Sequence, residues 1–185
     1  MTQPKPRIKF TVGDYMTTPD DKRYQLLDGE LILAPPAVTK HQRVLIRLAK
    51  MLITFVTSHH LGEVFIAPYD VFLSDYDVVQ PDILFVSNAR SGIITEANIQ
   101  GAPDLVVEVL SPGTARYVLG YKQTLYSRHG VREYWQVDPE ADTIGVLTPS
   151  EEGLVVSATY QRGQVMTSPL PEGLVIDLEQ VFHQA

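Results

Sequence analysis

The chain has 185 residues, of which 44% are hydrophobic and 20% charged, and it contains no cysteine. These values predict a folded protein in which residues 1–185 form a single domain, and they exclude disulfides, zinc–thiolate sites and thiol catalysis. The formal net charge of −7 disfavours a nucleic-acid binder held by its overall charge, so any nucleic-acid contact must be local. No apolar run resembles a signal core or reaches the roughly 20 residues of a membrane span, which predicts a cytoplasmic protein without a membrane partner.

The first part of the chain predicts two helices separated by a β-hairpin. After a loose polar lead-in of residues 1–9, a short helix begins at Thr11 and is stopped by a proline. Two apolar segments around an Asp-Gly pair, within Tyr24–Leu33, indicate the hairpin. The helical period of apolar side chains then predicts a long helix from Thr39 to about Ser58, and Thr39 with Gln42 matches a capping box.

One side of this long helix carries four cations at positions i, i+3, i+7 and i+10, namely Lys40, Arg43, Arg47 and Lys50. A solvated surface is the commoner role for such a face. The alternative is a basic face that binds the backbone of a nucleic acid, which would supply locally the positive charge that the whole chain lacks.

The rest of the chain alternates short strands with one further long helix. The predicted strands are Glu63–Ile66, Val71–Leu73, Val78–Val86, Leu105–Leu110, Arg132–Val137, Thr143–Leu147, Leu154–Tyr160 and Val165–Thr167. The strand at 105–110 is the most apolar and is therefore predicted to be central, and a helix follows it from about Ala115 to Arg128, closed by Gly130. Asp177 is predicted to cap a last short helix. This order predicts an α/β (α+β) fold, with a central mixed β-sheet flanked by helices and extra β-hairpins.

Two charges stand where burial makes charge costly. Glu108 interrupts the apolar strand, and the period of two places it on the same side as Val106. Lys122 falls in the middle of the apolar face of the helix that follows. Since a helix that follows a strand packs back on the sheet, we expect Glu108 and Lys122 to approach each other.

A third charge, Asp82, follows Pro81 at the start of an apolar segment. A turn-forming Pro-Asp pair and a buried structural ion pair between Glu108 and Lys122 would explain these residues separately. A metal site would explain them together, because two carboxylates can hold a hard divalent cation and a neighbouring lysine can assist an attacking water. The sequence alone leaves both interpretations open.

These residues carry a resemblance to known nucleases. The spacing of Pro81-Asp82, Glu108-Val109-Leu110 and Lys122 resembles the PD-(D/E)XK nuclease superfamily, except that Leu110 holds the usual place of the lysine. The segments YQLLDGE, HQRV, QPDILFVS, APDLVVEVLSPGT, LGYKQTLYSRHGVREYW and QVDP resemble the Uma2 family of restriction-endonuclease-like proteins, which is abundant in cyanobacteria. The resemblance covers about residues 10–148 and implies a restriction-endonuclease-like fold.

The resemblance also implies a site and a reaction. Asp82 and Glu108 would bind Mg²⁺ or Mn²⁺, the backbone carbonyl of Val109 would be a further ligand, and Lys122 would be the relocated catalytic lysine. The implied activity is that of an endonuclease that hydrolyses the phosphodiester bonds of a nucleic acid, with DNA favoured over RNA. A homodimer is a possible assembly, because cutting two strands requires two sites.

Candidates for substrate binding lie around these residues. His41 matches a histidine common in the family, although an end-of-helix packing role is an equal alternative. Arg43 and Arg47 belong to the basic face, and Arg116 lies on the first turn of the helix after the central strand. Two positions depart from the family pattern, because Gln25 and Val118 stand where acids are common, and both changes would weaken activity if those acids position the metal or water.

Two functions from different classes follow. The first is a metal-dependent endonuclease whose site is Asp82, Glu108 and Lys122. The second is a catalytically inactive binding or assembly module that keeps the nuclease fold, with Glu108 and Lys122 as a structural ion pair. The acidic net charge favours the second.

Overall fold

The computed structural model describes residues 8–19, 21–34, 36–111 and 117–183. Within these ranges the α-helices are α1 (Val12–Tyr15), α2 (Thr39–Ser58), α3 (Gln123–His129) and α4 (Leu178–Phe182). A 3₁₀ segment spans Asn88–Ile93, and a π-helical segment over Tyr117–Lys122 leads directly into α3. The strands are β1 (Tyr24–Leu27), β2 (Glu30–Leu33), β3 (Gly62–Ile66), β4 (Val71–Ser74), β5 (Asp77–Val79), β6 (Ile83–Ser87), β7 (Ile99–Gln100), β8 (Leu105–Val109), β9 (Glu133–Asp138), β10 (Thr143–Ser150), β11 (Gly153–Gln161), β12 (Val165–Thr167) and β13 (Val175–Asp177).

The larger sheet is mixed, and in the described part of the chain it contains six strands in the order β11-β10-β9-β8-β6-β3. All neighbours are antiparallel except β8 and β9, which are parallel and pair Val107 with Trp135. A parallel pair needs a crossover, which α3 provides between β8 and β9. Every residue of β8 is buried, and the strand lies inside the sheet as its apolar sequence predicts.

The side chains of β8 alternate between two packed layers. Leu105, Val107 and Val109 pack in a cluster with the buried face of α2, which includes Leu48. Val106 packs on the other side with Leu125 and Tyr126 of α3. Glu108 shares the side of Val106, so the predicted alternation of the strand is confirmed.

A second sheet has the order β2-β1-β5-β4-β7, and β12 pairs with β13. The predicted hairpin at residues 24–33 is confirmed by the antiparallel pairing of β1 with β2. Its turn places Asp28 at φ 51° and Gly29 at φ 76°, the positive values that a type I′ turn requires. The mixed sheet, the flanking helices and the extra hairpins confirm the predicted fold class.

The prediction of one strand over Val78–Val86 is wrong. The segment is divided into β5, which ends at Val79, and β6, which begins at Ile83, and these strands belong to different sheets. Pro81 has no N–H to donate to a ladder, so a continuous strand is interrupted there. The break leaves Asp82 at the junction, immediately before β6.

The predicted helices agree in place but not in every detail. The predicted start of a short helix at Thr11 is confirmed, since Thr11 is the N-cap of α1, and the structure adds a capping box with Asp14. The capping box predicted for α2 is wrong, because Val38 is its N-cap and makes no side-chain capping bond. Gly130 ends α3 at φ 82°, whereas the turn before α3 is π-helical and the predicted start near Ala115 lies outside the described residues. Among the described helices, none has the length and apolarity needed to cross a bilayer.

A fully buried carboxylate ties β9 to the segment after β12. Glu133 Oε1 accepts hydrogen bonds from Trp135 Nε1 at 2.6 Å and from Ser168 Oγ at 2.8 Å. Its other oxygen, Oε2, accepts a hydrogen bond from the backbone N–H of Leu170 at 2.6 Å. Both carboxylate oxygens therefore satisfy donors of the surrounding protein, one of them the indole of a side chain in the core.

Candidate active site

The centre of the site is a buried ion pair between β8 and the end of the π-helical segment. Lys122 Nζ lies 2.6 Å from Glu108 Oε1, and both side chains are 5% exposed. The hydroxyl of Tyr126 donates to the same Oε1 at 2.6 Å. The expected approach of Glu108 and Lys122 is confirmed, and the structure adds Tyr126 as a second donor to the carboxylate.

Asp82 is held beside this pair by the backbone of β8. Its Oδ2 accepts a hydrogen bond from the Val109 N–H at 2.7 Å and lies 3.3 Å from His41 Nε2. Its own carbonyl accepts a hydrogen bond from the Ala67 N–H at 3.1 Å. The break at Pro81 therefore places the Asp82 carboxylate against the residue that follows Glu108, and its side chain keeps 17% exposure.

Burial and the neighbouring charges set the protonation of this cluster. Burial raises the pKa of Glu108, an effect that the charge of Asp82 reinforces and that Lys122 and Tyr126 oppose. Burial disfavours the imidazolium of His41, but the hydrogen bond and charge of Asp82, together with Glu108 and the backbone of Val109, outweigh it and raise the pKa of His41. The raised pKa of His41 therefore follows from the carboxylates beside it, whereas the raised pKa of Glu108 follows chiefly from burial.

The carboxylates open into a cleft of about 380 Å³. Asp82, Glu108, Val109, Lys122 and His41 all line it. The structure therefore brings together the three predicted catalytic residues, the backbone segment proposed as a further ligand, and the predicted histidine.

The predicted cationic residues are distributed differently. Arg43 is exposed and does not line the cleft, and Arg47 Nη1 donates to the carbonyls of Val181 at 3.1 Å and His183 at 2.5 Å. Lys40 pairs with Glu140 at 3.2 Å. Arg116 lies outside the described residues. Of the four cations on the predicted face, only Lys50 lines the cleft, where it is joined by a cation that sequence reasoning missed, Arg23.

Gln25 lines the same cleft from β1. Its Oε1 accepts a hydrogen bond from the Gln80 N–H at 3.3 Å, which assigns the acceptor end of the amide to the protein side. The Gln80 side chain is fixed in turn, because its Nε2 donates to Asp70 Oδ1 at 2.8 Å. The amide Nε2 of Gln25, a donor, is thereby left for the cleft.

Tyr126 and Arg23 gave no recognisable signal in the sequence. A tyrosine on an apolar helix face usually packs, and only the distance to Glu108 shows that its hydroxyl also donates there. Arg23 precedes the hairpin in a polar stretch and reaches the cleft because β1 pairs with β5, which ends next to Pro81. Both positions depend on contacts between distant segments.

The side chains of the cleft offer two carboxylates to a divalent cation. Among the described residues, no group of three or more His, Asp and Glu side chains is placed to hold a metal ion. Two carboxylates are nevertheless the number that Mg²⁺ commonly takes from a protein, since it keeps several waters and binds substrate phosphate. Among the described residues, the hydrogen bonds to Asp82 fall on Oδ2 and those to Glu108 fall on Oε1. The residues fit a hydrated, hard cation.

The family follows from comparison with known proteins. A family model described as "Uma2: Putative restriction endonuclease" matches residues 12–179. The chain belongs to the Uma2 family. No curated protein matches it in sequence. Among solved structures, a putative nuclease belonging to DUF820 from Anabaena variabilis ATCC 29413 is 19% identical with a TM-score of 0.78, over 94% of this chain and 97% of that chain.

Membership of Uma2 confirms the family identified from the sequence segments, and the structural neighbour confirms the fold. The family description supports a nuclease-like function with nucleic acid as the substrate class. Restriction-endonuclease-like families generally use divalent metals, and carboxylate oxygens such as those in the cleft are donors of the kind that such metals prefer.

Proposed function

We propose that this Uma2 protein is a metal-dependent endonuclease that hydrolyses nucleic-acid phosphodiester bonds in the cleft of Asp82, Glu108 and Lys122. The observation that carries the proposal is the convergence of these three residues, from three separate segments, at one cleft. Charged side chains are rarely buried without a use, and a cleft in which several perturbed groups meet is a candidate for chemistry. The family description agrees with this interpretation.

Asp82 and Glu108 would hold Mg²⁺ or Mn²⁺, with the carbonyl of Val109 as a further ligand. When bound, the cation supplies Lewis acidity and neutralises charge on the phosphate. The protein's part is to orient both carboxylates. For Asp82, His41 and the Val109 N–H do this, and for Glu108, Lys122 and Tyr126 do it.

Lys122 is suited to act on the attacking water. Its ammonium has three N–H donors, and one of them is occupied by Glu108. The remaining donors can orient a water molecule and stabilise the negative charge that develops on the phosphate. Because Lys122 is buried beside the carboxylates, its position varies little, and a fixed donor is the more effective one.

Metal dependence is the first expected result. Purified protein should nick plasmid or cut oligonucleotides with Mg²⁺ or Mn²⁺ and should be inactive in EDTA, and calorimetry should detect Mn²⁺ binding. Binding and cleavage should both weaken as the pH falls, because the ligands must be ionised and burial raises the pKa of Glu108. Cleavage that persists in EDTA, or a protein that binds neither metal, would contradict the proposal.

A second candidate, the catalytically inactive module, is favoured by one specific observation. Glu108 is already neutralised by Lys122 and receives a second hydrogen bond from Tyr126, so the pair is satisfied without any ligand. A pair of this kind can be purely structural. This candidate predicts that neither Mg²⁺ nor Mn²⁺ changes the stability of the protein.

Gln25 offers a test of how the cleft binds metal. Glutamate is common at this position in the family, and Gln25→Glu would keep the acceptor for the Gln80 N–H while adding a negative oxygen to the cleft. We expect the variant to bind Mn²⁺ about tenfold more tightly, since an additional nearby charge contributes on the order of 1 kcal/mol or more. Calorimetric titration measures this directly.

Gln42→Glu is the matched control for that change. Gln42 is exposed at the rim of the same cleft, so its replacement adds an equal charge at the rim. If both variants tighten Mn²⁺ binding equally, the general field of the cleft is responsible and Gln25 has no specific place in metal binding.

A further inference from the structure

Three exposed isoleucines form one wall of the cleft. Ile46 is 63% exposed, Ile53 is 40% exposed and Ile66 is 50% exposed, and all three line the cavity that contains the carboxylates. Ile46 and Ile53 lie two turns apart on α2, while Ile66 ends β3 and pairs with Ile83, the residue after Asp82. Phosphate groups gain nothing from an aliphatic wall, so an apolar part of a substrate is the better match for this surface.

Two cations accompany this wall. Arg23 and Lys50 are exposed and line the cleft, and neither forms an ion pair with a residue in the described ranges. Their charges are therefore available to a ligand, whereas Lys40 is occupied by Glu140 and Arg47 by backbone carbonyls. A ligand that combines anionic groups with flat apolar groups matches this lining, and an unpaired nucleic-acid strand has that composition.

The depth of the site also favours an unpaired strand as the ligand. The Glu108 and Lys122 side chains are each 5% exposed, and they are reached through a cleft of about 380 Å³. Cavities of this size accept a small ligand, and one unpaired nucleotide is a ligand of that kind. In a paired duplex the faces of the bases are covered by stacking and only their edges are open in the grooves, whereas an unpaired strand exposes the faces as well.

We infer that the cleft binds an unpaired nucleic-acid strand, with its bases against Ile46, Ile53 and Ile66 and its phosphates at Arg23 and Lys50. This inference rests on the proposed function and names its substrate class. Substrates with single-stranded regions, such as flaps, loops or melted ends, are therefore cut in preference to continuous duplex.

Binding without catalysis tests the inference separately from activity. Fluorescence anisotropy in EDTA compares a labelled single-stranded oligonucleotide with a hairpin duplex of the same composition. We expect the single strand to bind at least about tenfold more tightly, and the double variant Ile46→Ala with Ile53→Ala to lose about tenfold of that affinity. Alanine preserves the helix, and thermal unfolding verifies that the variant is folded.

The control is Val156→Ala with Val175→Ala, a pair of exposed valines away from the cleft, which should leave the affinity unchanged. Equal or tighter binding of the duplex, or full affinity in the isoleucine variant, would overturn the inference. So would a change of oligomeric mass in that variant, which would show that the wall is an interface between two copies. Metal-dependent cleavage confined to duplex would refute the inference but keep the proposed function. Preferential binding of the single strand without any cleavage would keep the inference but refute the proposed function.

Discussion

Replacing Lys122 with methionine should reduce metal-dependent cleavage by at least about a hundredfold. Methionine is similar in length to lysine and fits an apolar helix face, but it has no donor for a water molecule and no charge to set against the phosphate. The ammonium of Lys122 is buried 2.6 Å from Glu108 Oε1, whereas the ammonium of Lys50, which lines the same cleft, belongs to an exposed residue. Initial rates on a plasmid substrate with Mn²⁺ measure the effect.

The same variant separates the two candidate functions through its stability. Without metal, Lys122→Met leaves the buried Glu108 carboxylate without its cation, which typically costs about 3–5 kcal/mol. If the site binds metal, Mn²⁺ should restore part of that stability in proportion to its concentration over the dissociation constant. If the pair is only structural, Mn²⁺ should change the unfolding of neither protein. Lys9→Met, at an exposed lysine that pairs with Asp28, is the matched control and should retain full activity.

Asp82→Asn and Glu108→Gln complete this experiment, because each replaces a charged ligand by a neutral amide of the same shape. Asparagine can still accept the Val109 N–H, so loss of activity would report the lost charge and not a displaced strand. Both variants should lose cleavage and Mn²⁺ binding together. Glu151→Gln, in an exposed turn, removes the same charge elsewhere and should have no effect. Cleavage that survives Lys122→Met, Asp82→Asn and Glu108→Gln would place the reaction at another site.

The sequence predicted the parts of the site that depend on local periodicity. The period of two in β8 determined the side on which Glu108 lies, and the helical period placed Lys122 opposite it. Contacts between distant segments could not be predicted from local periodicity. The pairing of Asp82 with the Val109 N–H depends on how β6 and β8 are aligned, and a continuous strand over 78–86 would have placed it differently.

The basic face of α2 is a second case in which local periodicity predicts the orientation of side chains but not their contacts. Regular spacing correctly predicted that Lys40, Arg43, Arg47 and Lys50 share a side of the helix, but it could not show what that side meets. Helix α4 packs against α2, and the carbonyls of Val181 and His183 accept hydrogen bonds from Arg47. Periodicity determines which way a side chain points, whereas the tertiary fold determines its partner.

Glu133→Ala should lower the free energy of unfolding by about 3 kcal/mol. The substitution removes both acceptor oxygens, so the Trp135 indole N–H loses its acceptor, while the Ser168 hydroxyl and the Leu170 N–H keep only the hydrogen bonds that join these two residues. Since Trp135 is fully buried, its N–H cannot turn to water instead. Chemical denaturation measures the loss, and Glu63→Ala on exposed β3 is the control, with an expected change within about 0.5 kcal/mol.

Glu133→Gln distinguishes hydrogen bonding from simple loss of volume. Glutamine preserves the shape, but its single oxygen can serve either Trp135 or Leu170, and its amide group then faces the other donor. We therefore expect Glu133→Gln to remain destabilised by about 2 kcal/mol.

The stability of the wild-type protein should also depend on pH through Glu133. Burial raises the pKa of Glu133 against the opposing hydrogen bonds, so the free energy of unfolding of the wild-type protein should fall as the pH rises from the ordinary glutamate pKa to the raised one. Glu133→Ala and Glu133→Gln both lack this carboxyl group, so their free energies of unfolding should fall less over the same pH interval. A glutamine variant as stable as wild type would show that shape alone holds β9 to the segment after β12.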